Sequence, residues 1–206
     1  MRHATIEIVE VFQRVMIDEQ SLSAHLVVDL DGHFEHLVRT YQDRLYGFAL
    51  RLTGSRQDAE ESTQDAFVRA YRALERYPEE RRRALRLRPW LYQITLNVVR
   101  NRVRRPALVA DSVDGPVRNG LAARRDEQPE QVLLLTETQS QLANAIAELP
   151  RRYATAVVLR HVQGLSYAEA AEVLDQPLGT TKSDVHRGLR LLREALEPEL
   201  LEVGNR

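Results

Sequence analysis

Apolar side chains recur every three or four positions from Phe34 to Leu52. Phe34, Leu37, Val38, Tyr41, Leu45, Phe48, Ala49 and Leu52 share one face, and Arg39, Asp43 and Arg44 fall off it. That period predicts an amphipathic helix, stopped by Gly54. Ser55 or Asp58 can cap a second helix, whose early carboxylates Asp58, Glu60 and Glu61 suit the positive end of its dipole. Its stripe is Ala59, Ala66, Phe67, Ala70, Tyr71 and Leu74, and Pro78 closes it. A third helix opens near Pro89, a favourable first-turn residue, with Leu91, Ile94 and Val98 inward and Trp90 assigned to the core.

Residues 106–130 change character: Pro106, Gly115, Pro116, Gly120 and Pro129 punctuate a polar run without periodicity, which reads as a linker. Helical spacing returns from about Val132 to Leu149. Pro150 starts another helix that runs through Val157 and Val158 to Val162, and Gly164 ends it. Ser166-Tyr167-Ala168-Glu169 is a capping box that opens a helix of about ten residues. Gln176-Pro177-Leu178-Gly179 reads as a tight turn. Thr180 or Thr181 then caps a helix from Lys182 to about Ala195 that buries Val185, Leu189 and Leu192. No strand alternation and no repeat is visible. Within the first 32 residues, Ile6, Val9, Phe12 and Met16 suit a short helix, and Leu26–Leu30 could be extended.

Composition narrows the class. The chain has 206 residues, 43% hydrophobic and 29% charged, and no cysteine. Disulfides, thiolate metal sites and cysteine nucleophiles are therefore excluded. The apolar runs are too short to span a bilayer, and no cleavable leader pattern is present, so a cytoplasmic location is expected. The net charge of −1 hides a strong asymmetry. Residues 33–105 carry sixteen arginines against nine carboxylates, while residues 1–32 and 106–140 are acidic.

Two segments carry candidate chemistry. The helices around the 176–179 turn form either a helix-turn-helix or a plain helical hairpin with a charged face. In the first case the second helix offers Lys182, Ser183, His186, Arg187 and Arg190 to a major groove. The basic block holds Arg81, Arg82, Arg83, Arg86 and Arg88 in an expected loop. Asn97, Arg100, Asn101, Arg102, Arg104 and Arg105 follow at the end of a helix. Arginine neutralises phosphate, asparagine pairs with base edges, and Tyr92 and Trp90 could stack on unpaired bases. The alternative is a solvated arginine face. His33 and His36, near Asp31 and Glu35, have a spacing that a metal can use, but the same spacing is common at helix starts. No nucleophile–base pair stands out. Leu52-Thr53-Gly54-Ser55 lacks the glycine-lysine pair of a phosphate loop, so no cofactor, no metal and no catalytic residue is assigned.

Taken together, the motifs resemble the extracytoplasmic-function (ECF) sigma factors of the bacterial sigma-70 family. Asp58-Ala59-Glu60-Glu61 through Gln64-Asp65-Ala66-Phe67 is similar to the family's core-polymerase-binding helix, and Pro89-Trp90-Leu91 through Asn97 and Asn101 to its promoter-melting helix. Leu149-Pro150, Gly164-Leu165-Ser166 and Gly179-Thr180-Thr181-Lys182-Ser183 match its second domain. The resemblance implies an all-α chain: an N-terminal extension (1–32), sigma domain two (33–105), a flexible linker (106–137), sigma domain four with its helix-turn-helix (138–197) and a tail (198–206). It implies binding to core RNA polymerase through Asp58, Glu61, Gln64, Asp65 and Arg69. Unpaired minus-ten DNA would be held by Arg81, Arg82, Arg83, Asn97, Arg100 and Asn101. Duplex minus-35 DNA would be read by Lys182, Ser183, His186, Arg187 and Arg190. An anti-sigma factor is a candidate partner, and the free chain is expected to be a monomer.

Two positions depart from the family pattern. Ser62 and Thr63 replace apolar residues, which would alter docking on polymerase in detail. Asp184 replaces an arginine in the recognition helix, where it would either repel phosphate or accept from a cytosine amino group. The competing reading is a helix-turn-helix regulator that works without polymerase. It accounts for residues 150–197 and leaves the basic block unexplained.

Overall fold

The structure is a computed structural model that describes residues 21–104 and 141–203. These are helical between short turns, with no strand among the described residues. The first domain comprises α1 (21–28), α2 (Leu30–Thr53), α3 (Arg56–Arg76), α4 (Glu79–Arg83) and α5 (Leu87–Arg104). The second comprises α6 (141–148), α7 (Arg151–Val157), α8 (Tyr167–Leu174) and α9 (Leu178–Val203). At Val158–Val162 the chain leaves α7 as a π-helical turn.

The predicted stripes are the buried ones. Leu37, Tyr41, Leu45 and Phe48 of α2 share one apolar cluster with Phe67 and Ala70 of α3 and with Leu91 and Leu96 of α5, and Ala66 and Leu74 of α3 are buried as well. Gly54 ends α2 in the left-handed region, φ 71°, which glycine adopts without a Cβ clash. Ser55 is the N-cap of α3, its hydroxyl accepting from the Asp58 amide. Ser166 and Glu169 close the capping box of α8. Leu159, Leu165, Val173 and Leu174 of the second domain join Leu87, Leu91 and Leu96 of the first in one continuous apolar cluster.

Several expectations are corrected. Residues 21–28 are helical and α2 starts at Leu30, so Leu26–Leu30 is not extended; Leu22 and Leu26 are buried in the core. The expected loop at Arg81–Arg83 is the helix α4, which follows directly on Pro78 at the N-cap position without a side-chain cap. The recognition helix begins at Leu178 rather than after Thr180 or Thr181. Thr181 is buried, with its hydroxyl on the Pro177 carbonyl, and the turn before α9 is made by Asp175 in the left-handed region, φ 52°. Leu189 is 36% exposed, and Gly188 takes its place on the inner face. The Ile6–Met16 stripe, the Pro/Gly linker and the helical spacing expected from Val132 up to residue 140 lie outside the described residues.

Candidate nucleic-acid and polymerase interface

The inner face of α9 is Thr181, Asp184, Val185, Gly188 and Leu192. The outer face is then fixed by helix geometry: Lys182, Ser183, His186, Arg187 and Arg190 are all exposed. Lys182 Nζ stands 6.0 Å from the Tyr167 ring of α8. Arg190 makes a loose pair with Glu194, 3.7 Å apart and exposed. Asp184 is not on this face. It is 1% exposed, and its carboxylate accepts from Arg152 at 2.7 Å and from Gln176 at 3.2 Å. The groove-facing role considered for it is therefore excluded. Its place in the 181–184–188 spacing could have shown this from sequence alone.

In the first domain Asn97, Arg100 and Asn101 are exposed together near the C-terminal end of α5. Arg81 and Arg83 are exposed on α4; Arg81 lies over the Tyr77 ring at 3.8 Å, and Arg83 pairs with Glu79. Arg82 differs. It is half-buried, donates to the Leu26 carbonyl and accepts from Ser23 at its own carbonyl, so it anchors α1. Tyr92 is fully buried, edge-on to Phe48, with its hydroxyl on Gln163; it cannot stack on a base. Trp90 is half-buried beside Tyr77, which agrees with its assignment to the core. Arg88, expected on a loop, is buried in α5.

On α3 Gln64 and Arg69 are exposed, and Asp65 pairs with Arg69 at 2.9 Å. Asp58 and Glu61 both pair with Arg102 of α5, so they tie the two helices together while staying partly exposed. Ser62 and Thr63 are buried, Thr63 donating to the Ala59 carbonyl. They therefore lie beneath the exposed face of α3 rather than on it. Three of the residues considered for a metal are otherwise engaged. Glu35 pairs with Arg39, Asp31 accepts from the Tyr71 hydroxyl, and His33 stacks on His25.

Comparison with known proteins fits this geometry. Residues 37–107 match the family model for Sigma-70 region 2, and residues 139–192 that for Sigma-70, region 4. The RNA polymerase sigma-H factor of Pseudomonas aeruginosa is 33% identical over 176 residues, covering 82% of this chain and 89% of its own length. The chain belongs to the ECF sigma factors of the sigma-70 family. The ECF RNA polymerase sigma factor SigE of Mycolicibacterium smegmatis is 35% identical over 177 residues, covering 83% of this sigma factor and 64% of the relative's length. The sigma factor RpoE of Bartonella quintana, solved with the anti-sigma factor NepR, shares the fold. Its TM-score is 0.60 at 22% identity, over 80% of this sigma factor and 96% of that chain. As a member of its family this sigma factor partners core RNA polymerase and promoter DNA in transcription initiation. Among the described residues no helix is long and apolar enough to cross a membrane.

Proposed function

We propose that this sigma factor divides promoter recognition between two exposed faces and docks on polymerase through a third. Helix α3 presents Gln64, Asp65 and Arg69 to core polymerase, with Asp58 and Glu61 at the edge of the contact, where Arg102 orients them. Helix α5 offers Asn97 and Asn101 to the unpaired bases of the minus-ten element. Arg81, Arg83 and Arg100 hold its phosphates, and Arg82 keeps α4 in place. Helix α9 reads the minus-35 duplex through Lys182, Ser183, His186 and Arg187, with Arg190 on the backbone. The chain works without catalysis of its own, in the cytoplasm, as a monomer when free, and an anti-sigma factor is a fitting partner.

The observation that carries this reading is the split of α9. Every candidate groove contact is exposed, while Thr181, Asp184, Val185 and Leu192 on the other face are buried. Phosphate contacts set affinity without sequence preference, whereas base contacts set specificity. The test compares binding profiles. Alanine at Arg187 should relax preference at one or two base pairs of the minus-35 element, and alanine at Asn97 should change preference within the minus-ten element. A uniform loss in both would demote them to backbone contacts.

A further inference from the structure

A crevice beside α5 combines an apolar floor with unanswered positive charge. It encloses about 250 Å³ where the C-terminal half of α5 passes the start of α7. Leu96 and Val99 of α5 and Leu174 of α8 line it, each at most 8% exposed. Arg100 of α5 and Arg151 and Arg152 of α7 line it as well, and no carboxylate does. Arg152 turns its Nε to Asp184 at 2.7 Å. Arg100 and Arg151 are exposed and form no ion pair among the described residues. Elsewhere Arg39, Arg69, Arg83, Arg86 and Arg102 each face a carboxylate.

The two features ask for different halves of one ligand. A guanidinium presents paired, planar donors that match a carboxylate bidentately, and three like charges around one opening repel until an anion joins them. The floor gains only when something apolar covers it. A nucleic-acid phosphate would answer the arginines but set a polar sugar over Leu96 and Val99. A neutral apolar molecule would cover the floor and leave the arginines unanswered. The volume lies below the roughly 300–1,000 Å³ of drug-sized sites. That selects a small ligand: one carboxylate on a short hydrocarbon chain.

We propose that this crevice binds a small amphipathic carboxylate of the medium-chain fatty-acid class, with its carboxylate on Arg100 and Arg151 and its chain on Leu96, Val99 and Leu174. A guanidinium that holds the ligand's carboxylate cannot at the same time hold a minus-ten phosphate. The ligand therefore opposes promoter binding, and by linkage promoter DNA opposes the ligand. This consequence, unlike the site itself, rests on the assignment of Arg100 to minus-ten DNA above.

The probe is octanoate, kept below its micelle-forming concentration and titrated into the full-length chain by calorimetry, with the methyl resonances of Leu96, Val99 and Leu174 followed in parallel. Octanoate should bind saturably at one site and shift those methyls. Affinity should rise about two- to fourfold per methylene from hexanoate to decanoate. Octanol and inorganic phosphate each carry half of the ligand's chemistry and should bind roughly tenfold more weakly or worse. Arg100→Ala and Arg151→Ala, at exposed positions, should each weaken octanoate about tenfold. Arg44→Ala removes the same charge from an exposed position of α2 outside the crevice and should bind like wild type. The site is overturned by an absence of saturable binding, by an affinity flat with chain length, or by phosphate or octanol equal to octanoate. Crevice variants that bind like wild type overturn it too. The consequence is read separately, as weaker protection of minus-ten DNA by the holoenzyme when octanoate is added. If octanoate binds as described and protection is unchanged, the site stands and Arg100 loses its minus-ten role.

Discussion

Asp184 and Arg152 form an ion pair, 2.7 Å from guanidinium nitrogen to carboxylate oxygen, that ties α9 to α7 beneath it. The second carboxylate oxygen is buried with no partner among the described residues, so the pair is the main compensation for a charge taken out of water. The same contact raises the Arg152 pKa above its ordinary value. Arg152→Ala should therefore lower the unfolding free energy, measured by denaturant titration, because it leaves the buried Asp184 carboxylate without its charged partner. Minus-35 affinity should fall alike for all duplexes. A change confined to one base pair would return Asp184 to the groove.

Gly188 sits where α9 crosses α7. A Cβ added there would lie 2.5 Å from Val157 Cγ2 and 3.3 Å from the Tyr153 carbonyl oxygen. Val157 is itself buried, 2% exposed. Gly188→Ala should destabilise the chain by about 1–3 kcal/mol through overpacking. Adding Val157→Ala, which removes the nearest clashing atom, should recover part of that loss in a thermal melt. Equal melting of Gly188→Ala and wild type would contradict the close approach.

The arginines proposed to hold phosphate should respond to salt differently from the proposed base readers. Neutralising Arg81, Arg83 and Arg100 together should weaken binding of minus-ten DNA to holoenzyme and flatten its salt dependence, by roughly 0.7 in the logarithmic slope for each single-strand phosphate no longer neutralised. Asn101→Ala should leave the slope unchanged and alter base preference. An asparagine variant with the wild-type preference at every position is not a reader.

Arg187 is the strongest candidate for a base contact on α9. A bidentate arginine–guanine pair contributes about 1–3 kcal/mol of discrimination. Arg187→Ala should lose that preference at one or two minus-35 base pairs, read in a base-by-base competition assay. Arg190, with Glu194 nearby, should give the uniform loss of a phosphate contact.

On α3, Asp65→Arg both breaks the exposed pair with Arg69 and reverses a charge at the proposed polymerase contact. The pair itself adds little stability, so the fold should survive. Affinity for core polymerase should drop at least several-fold in a pull-down titration. Unchanged affinity would move the docking face elsewhere on the domain.

The long helices were legible because each buries one continuous stripe. Phe34 to Leu52 and Ala59 to Leu74 needed only the 3.6-residue period, and Ser166 and Glu169 announced α8 by local chemistry. Helix α1 was not legible, since Leu22 and Leu26 make a stripe only once the rest of the core lies beside them. Helix α4 has no apolar residue among Glu79–Arg83 and reads as a charged loop. At the site, the outward face of α9 followed from spacing, but Asp184 was misread because its charge outweighed its position on the buried face. Arg88 and Arg86 looked like further phosphate contacts. Their partners Gln163 and Glu172 lie 75 and 86 residues away, beyond any local pattern.

The central claim is that this chain gives core polymerase its promoter specificity through two separate faces. Run-off transcription with purified core polymerase over a randomised promoter library tests it most directly. Core enzyme with the wild-type chain should select one pair of minus-ten and minus-35 sequences. Asn97→Ala should alter only the first and Arg187→Ala only the second. Initiation no different from core enzyme alone, together with equal sequence-specific duplex binding in the absence of polymerase, would contradict the account and favour a regulator that acts on its own.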